Sequence, residues 1–121
     1  MQLKFFKGDF CVCKLPDLSR INLAAGMFFL ARTDSEISLV CPSDEAPANA
    51  TLVDRGWRAF RIEGQLDFSL VGIMSRLAAL LAVNNISIFA VSTYDTDYFL
   101  IKAEKLEEAK TVLADNGYEL V

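Results

Sequence analysis

The sequence predicts an α+β fold: a βαββαβ unit over its second half, preceded by a shorter, helix-poor module. Three observations predict it. Apolar residues recur at steps of three and four between Leu70 and Leu81, with strand-like runs on either side. A charged segment, Glu104 to Asn116, repeats the helical spacing and is closed by Gly117. A hairpin pattern in the first half returns in the second.

The elements follow in order. In the first half, Phe10 to Leu15, Met27 to Arg32 and Ile37 to Cys41 read as strands, and Pro16 to Ala25 holds at most a short helix. "PSDEAPAN", Pro42 to Asn49, is polar and proline-bearing and marks a boundary. The predicted division is a module over residues 1–54 and a domain over residues 55–121. Trp57 to Glu63 reads as a strand, and Gly64 to Phe68 as a loop. A helix starts at Ser69, with Leu70, Ile73, Met74, Leu77, Leu80 and Leu81 on its buried face. Asp67 or Ser69 can cap it. Gly72 falls inside this pattern, at a cost that close packing by a neighbour would explain. Asn84-Asn85 is a stop signal. Ile86 to Ser92 and Tyr98 to Lys102 are strands joined by a turn at Tyr94-Asp95-Thr96. The last helix buries Leu106, Ala109, Val112 and Leu113, and Tyr118 to Val121 is a final strand. The order is that of the ferredoxin-like split βαβ fold, with both helices on one face of the sheet.

Composition narrows the function. Of the 121 residues, 53% are apolar, enough for a buried core. The longest apolar runs, such as Leu77 to Val83, are too short to span a membrane, and "MQLKFFKGDF" has no signal-peptide pattern. We therefore expect a cytoplasmic protein without a membrane partner. Net charge is −4 and the basic residues are scattered, so no nucleic-acid partner is expected. Cys11, Cys13 and Cys41 read as reduced core thiols. A zinc site wants four ligands, the chain has no histidine, and only the distant Cys41 and a carboxylate remain to help, so no metal is assigned. The missing histidine also removes Ser-His-Asp and Cys-His nucleophiles, and no glycine-rich phosphate loop occurs. No cofactor and no catalytic residue is assigned, and the expectation is a protein that is not an enzyme.

The repeat lies between "FFLARTDSEISLV" and "IFAVSTYDTDYFLI". Phe29 aligns with Phe89 and Thr33 with Thr93. Glu36 aligns with Asp97 if one extra residue is allowed in the turn. The second turn carries more polarity than a bend requires: Asp95 suits a turn, but a turn does not need a second acid at Asp97, two residues on.

The segments "LDFSLVGI", "ISIFAVSTYDTDYFL" and "AEKLEEA" resemble the ACT domain, a small-molecule regulatory module of amino-acid metabolism. The similarity is to the subgroup shared by cytosolic arginine sensors, small bacterial proteins and the regulatory region of aspartate kinases. "EISLVCPSD" resembles that subgroup's leading module. The resemblance implies a tandem of ACT units, the first shortened and degenerate. It also implies a stand-alone regulatory or sensor protein that holds an amino acid between ACT units, forms a homodimer and acts on a regulated protein partner.

The implied ligand-binding residues are Leu66, Asp67, Phe68, Ser69, Thr93, Tyr94 and Asp97. Amides at Phe68, Ser69 and Leu70 would take the carboxylate of the amino acid. Asp97 would accept from its ammonium, Thr93 would add a hydroxyl, and Leu66, Phe68 and Tyr94 would enclose its stem. Asp67 also reads as a cap and Phe68 as core, and Asp95, outside this set, reads as a turn residue. The competing function is a ligand-independent module that pairs its sheet with another protein; a small enzyme built on Asp95 and Asp97 ranks last.

Overall fold

The computed structural model describes residues 1–64 and 72–121. Among these are strands β1 (Gln2–Phe5), β2 (Phe10–Leu15), β3 (Phe29–Arg32), β4 (Ile37–Pro42), β5 (Leu52–Ile62), β6 (Phe89–Ser92), β7 (Asp97–Lys102) and β8 (Glu119–Leu120). The helices are α1 (Ile73–Val83) and α2 (Leu106–Asp115). The chain divides into two compact units, Met1–Lys7 with Arg58–Val121, and Gly8–Trp57.

In the larger unit the strand order is β6-β7-β5-β1-β8. Side chains alternate across a strand, so Phe60 and Ile62 of β5, Phe99 and Ile101 of β7, and Leu3 of β1 share a face. That face meets Leu77 and Leu81 of α1 and Leu106, Ala109 and Leu113 of α2 in one core. Phe60 stacks on Phe5 at 4.7 Å and on Phe99 at 5.3 Å between ring centroids. The α+β, ferredoxin-like arrangement with both helices on one face is therefore present, with one addition. The sequence pattern assigns no strand before Phe10. Yet β1 lies between β5 and β8, antiparallel to the first (Leu3 opposite Ile62) and parallel to the second (Gln2 opposite Glu119).

Both helices end in the same way. Asn85 N–H donates to Ala82 O and Ile86 N–H to Leu81 O, with Asn85 at φ +60°. Gly117 N–H donates to Ala114 O and Tyr118 N–H to Leu113 O, with Gly117 at φ +93°. These are Schellman closures, which satisfy the orphan carbonyls of the last turn. The start of α1 differs from expectation. Its N-cap is Gly72, at φ +81° and without a side-chain cap bond. A Cβ there would meet nothing within 4 Å. The glycine serves the left-handed backbone that opens the helix, not a close neighbour. The expected cap residues Asp67 and Ser69 lie outside the described residues.

In the smaller unit the order is β3-β4-β2-β5, using the first part of β5. Residues 16–28 contain turns and bends and no helix, and only a short 3₁₀ turn, Ser43–Glu45, follows β4. The core here is Cys11, Cys13, Leu15, Leu39 and Cys41, with Ile21, Phe28, Ala46 and Ala50 packed on it.

The Phe99→Ala variant should lose about 3–5 kcal/mol of unfolding free energy in urea, because Phe99 is fully buried at the centre of the larger core. Val83→Ala, at an 80% exposed position of the same unit, should stay within about 0.5 kcal/mol of the parent.

Candidate functional site

The β6–β7 hairpin is closed by its own polar residues. Thr93 N–H donates to Thr96 O at 2.9 Å, and the Thr93 hydroxyl donates to the same oxygen at 3.0 Å. Thr96 is buried, and its hydroxyl donates to Ile62 O at 2.7 Å, tying the turn to β5. Ser92 and Asp97 face each other in the register, and the Ser92 hydroxyl donates to Asp97 Oδ1 at 2.7 Å. The other carboxylate oxygen has no hydrogen-bond partner among the described residues. Tyr94, at the tip, is 76% exposed.

The three predicted residues of this hairpin thus separate by role. Thr93 closes the turn, Tyr94 is exposed at its tip, and Asp97 is a half-buried acid with one oxygen occupied. The remaining predicted residues, Leu66, Asp67, Phe68 and Ser69, lie outside the described residues. Thr96, a bend residue by its sequence context, is the residue that anchors the turn.

Strand alternation puts Asp97 and Ser92 on the helix-bearing side of the sheet and Tyr98 on the other. On that other side the Arg61 guanidinium lies over the rings of Phe6, at 5.3 Å, and Tyr98, at 5.8 Å. It donates to the Tyr98 hydroxyl and to Glu63, each at 3.1 Å. The Tyr98 hydrogen bond, helped by Glu63, raises its pKa further, so it is a fixed cation. The signal for it in "FRIE" was only the alternation of Arg61 and Glu63 along a strand.

The first hairpin has the same geometry. Phe29 pairs with Val40 and Arg32 with Ile37; Phe89 pairs with Leu100 and Ser92 with Asp97. Thr33 N–H donates to Glu36 O as Thr93 N–H does to Thr96 O. The offset is a constant sixty positions, with no extra turn residue. Glu36 therefore stands where Thr96 stands, and Ile37 occupies the place of Asp97. The expected alignment of Glu36 with Asp97 is wrong, because hydrogen-bond register and not charge defines the equivalence. The first hairpin lacks the Ser–Asp pair.

A cavity of about 320 Å³ in the larger unit is lined by Met1, Ile73, Arg76, Leu80 and Tyr118, among others. It takes in none of Thr93, Tyr94 and Asp97.

The smaller unit brings three cysteines together. Cys11 and Cys41 are register partners, and Cys13 is on the same face of β2. Cys11 Sγ lies 3.5 Å from Cys13 Sγ and 3.7 Å from Cys41 Sγ. Cys41 is distant only in sequence. Burial, reinforced by the neighbouring Cys11 thiol, pushes Cys13 up to about 11 and raises Cys41 as well.

The family model of the ACT domain matches residues 52–115, more than half of the chain. The chain belongs to the ACT domain family. A crystal structure of an Agobacterium tumefaciens protein is 32% identical, with a TM-score of 0.87, over 99% of this chain and 91% of that one. Two further solved structures share the fold. One is the aspartokinase alpha and beta subunits, at 18% identity and TM-score 0.63, covering 95% of this chain and 96% of that one. The other is the ligand-free regulatory subunit of aspartate kinase from Thermus thermophilus, at 12% and 0.63, covering 93% and 95%. The comparison with curated proteins gives no match. None of the helices among the described residues of this ACT protein is long and apolar enough to cross a membrane.

Two measurements check this geometry. Thr96→Val should cost about 1–3 kcal/mol in chemical denaturation, since the buried Ile62 carbonyl loses its hydroxyl donor. The thiol shifts set a pH dependence. A folded-state pKa raised above the unfolded value stabilises the fold below the unfolded pKa, and that stability is lost as pH rises through the folded one. Unfolding free energy should therefore fall between about pH 8.5, where an unfolded thiol titrates, and the folded Cys13 value of about 11. Cys13→Val should flatten that decline.

Proposed function

We propose that this ACT protein is a non-catalytic regulatory module that binds a free amino acid in a homodimer, at an interface between the ACT domains of two chains. The observation that carries the reading is Asp97: a half-buried carboxylate at the end of an ACT strand, held by Ser92 with its second oxygen unclaimed among the described residues. A carboxylate oriented in this way can accept a charge-assisted hydrogen bond from an ammonium group. Thr93 and Thr96 fix the backbone beneath it, so the acid is presented from a rigid element. The aspartate kinase regulatory subunit among the similar structures supports a regulatory role.

In this reading the smaller unit is a shortened, degenerate ACT-like module. It keeps the hairpin register but has Ile37 in place of the acid, so it forms no equivalent anchor. Ligand binding favours one arrangement of the dimer over another and shifts the population toward it, by no more than the ligand's differential affinity for the two. A regulated protein partner would sense that arrangement.

The test is a thermal-shift screen of the twenty amino acids, with dimerisation followed by analytical ultracentrifugation. One amino acid should stabilise the fold, by about 2.7 kcal/mol at a hundredfold excess over Kd. Asp97→Asn should abolish that shift while Asp95→Asn retains it. Absence of any shift at millimolar concentrations, alongside a stable complex with another protein, would replace this reading with the ligand-independent interaction module.

A further inference from the structure

The thiol cluster of the smaller unit has no part in amino-acid binding as proposed above. Among the described residues it is the one group of three cysteine or acidic side chains whose ligand atoms converge, all within 4.8 Å of one another. Packing alone does not call for sulfur here. At the same offset of sixty, Cys41 stands where the larger unit has Ile101, on the face that packs its core. A branched aliphatic side chain fills that position in the second copy.

From the spacing of the sulfurs we propose that Cys11, Cys13 and Cys41 form a three-sulfur site for a soft monovalent ion of the copper(I) class. Bonds of about 2.3 Å to three sulfurs in a plane put the sulfurs about 4.0 Å apart. The distances of 3.5 and 3.7 Å reach that value with small side-chain adjustments. Two of the ligands alternate on one strand and the third is the register partner of the first, so the backbone positions them in advance. The surroundings are apolar, with Leu15 and Leu39 in the same buried cluster and Ile21 and Phe28 packed against it. An all-sulfur set selects copper(I), whereas structural zinc is almost always four-coordinate. The chain has no histidine to supply a fourth ligand.

Entry is also provided for. The face that α1 and α2 cover in the larger unit is here covered by the segments 16–28 and 46–50. They are tied down by exposed side-chain bonds, from Asn49 Nδ2 to Asp17 Oδ1 at 3.1 Å and from Asn22 Nδ2 to Glu45 Oε2 at 3.2 Å. Neither bond belongs to the β2–β4 ladder that carries the three sulfurs. As the ion binds, the displaced thiol protons pass to solvent and no electron changes hands.

The experiment titrates the reduced full chain, under argon, with copper(I) supplied on a chromogenic chelator, and counts the sulfur neighbours of the bound copper by X-ray absorption. One copper per chain with three sulfur neighbours is expected. Cys13→Ser should weaken binding at least about tenfold, the lower bound for loss of even an outer-sphere partner. Cys11→Val with Cys13→Val and Cys41→Val, checked for folding by circular dichroism, should take up no stoichiometric copper. Failure of the parent chain to draw copper from the chelator would overturn the proposal. So would fewer than three sulfur neighbours, or displacement of the copper by equimolar zinc. The sulfur count on the parent chain decides the matter even if the triple variant does not fold.

Discussion

Everything in the larger unit is referred to the layer of rings under its helices. Phe5, Phe60 and Phe99 stack in sequence across β1, β5 and β7. Three strands from distant parts of the chain are thereby held at one spacing, and α1 and α2 pack onto what they form. A slip of one residue in any of these strands would turn its ring to the opposite face. The ring layer therefore fixes where β7 lies against β5, and the Thr93 turn that folds β6 onto β7 places Ser92 opposite Asp97. The acid sits on a strand that this core holds in place.

The same dependence explains what could be read from the sequence. Both helices, the β6–β7 hairpin and the strands of the first half were legible because their signals are local: the spacing of Leu77 and Leu81, the glycine after α2, the runs around Thr93. β1 was not. "QLKF" is a short segment whose only reason to be a strand is the pairing of Leu3 with Ile62, a long-range fact. The thiol cluster was hidden for the same reason, since the proximity of Cys11 to Cys41 exists only once β2 and β4 are in register. Thr96 looked like a bend residue because its partner, the Ile62 carbonyl, comes from another strand.

The repeat is instructive in a different way. Matching acid to acid led to Glu36 being set against Asp97. Matching hydrogen bond to hydrogen bond sets it against Thr96. Backbone geometry is conserved between the two hairpins while the chemistry on it is not: one ends in Ser and Asp, the other in Arg32 and Ile37. The two copies have the same bend and different prospects for holding a cation.

The position of β1 bears on how the chain is made. The larger unit cannot complete its strand order until β8 has been synthesised, because Gln2 pairs with Glu119 and Leu3 with Leu120. Contacts of such sequence separation require loop closure before they repay it, and they slow folding. During translation β1 is made before either of its partners and stays unpaired until β5 follows. Its exposed edge is then a surface on which a nascent chain can mispair or meet a chaperone. Assembly of this unit therefore waits on the synthesis of β8 and not on the strength of its core.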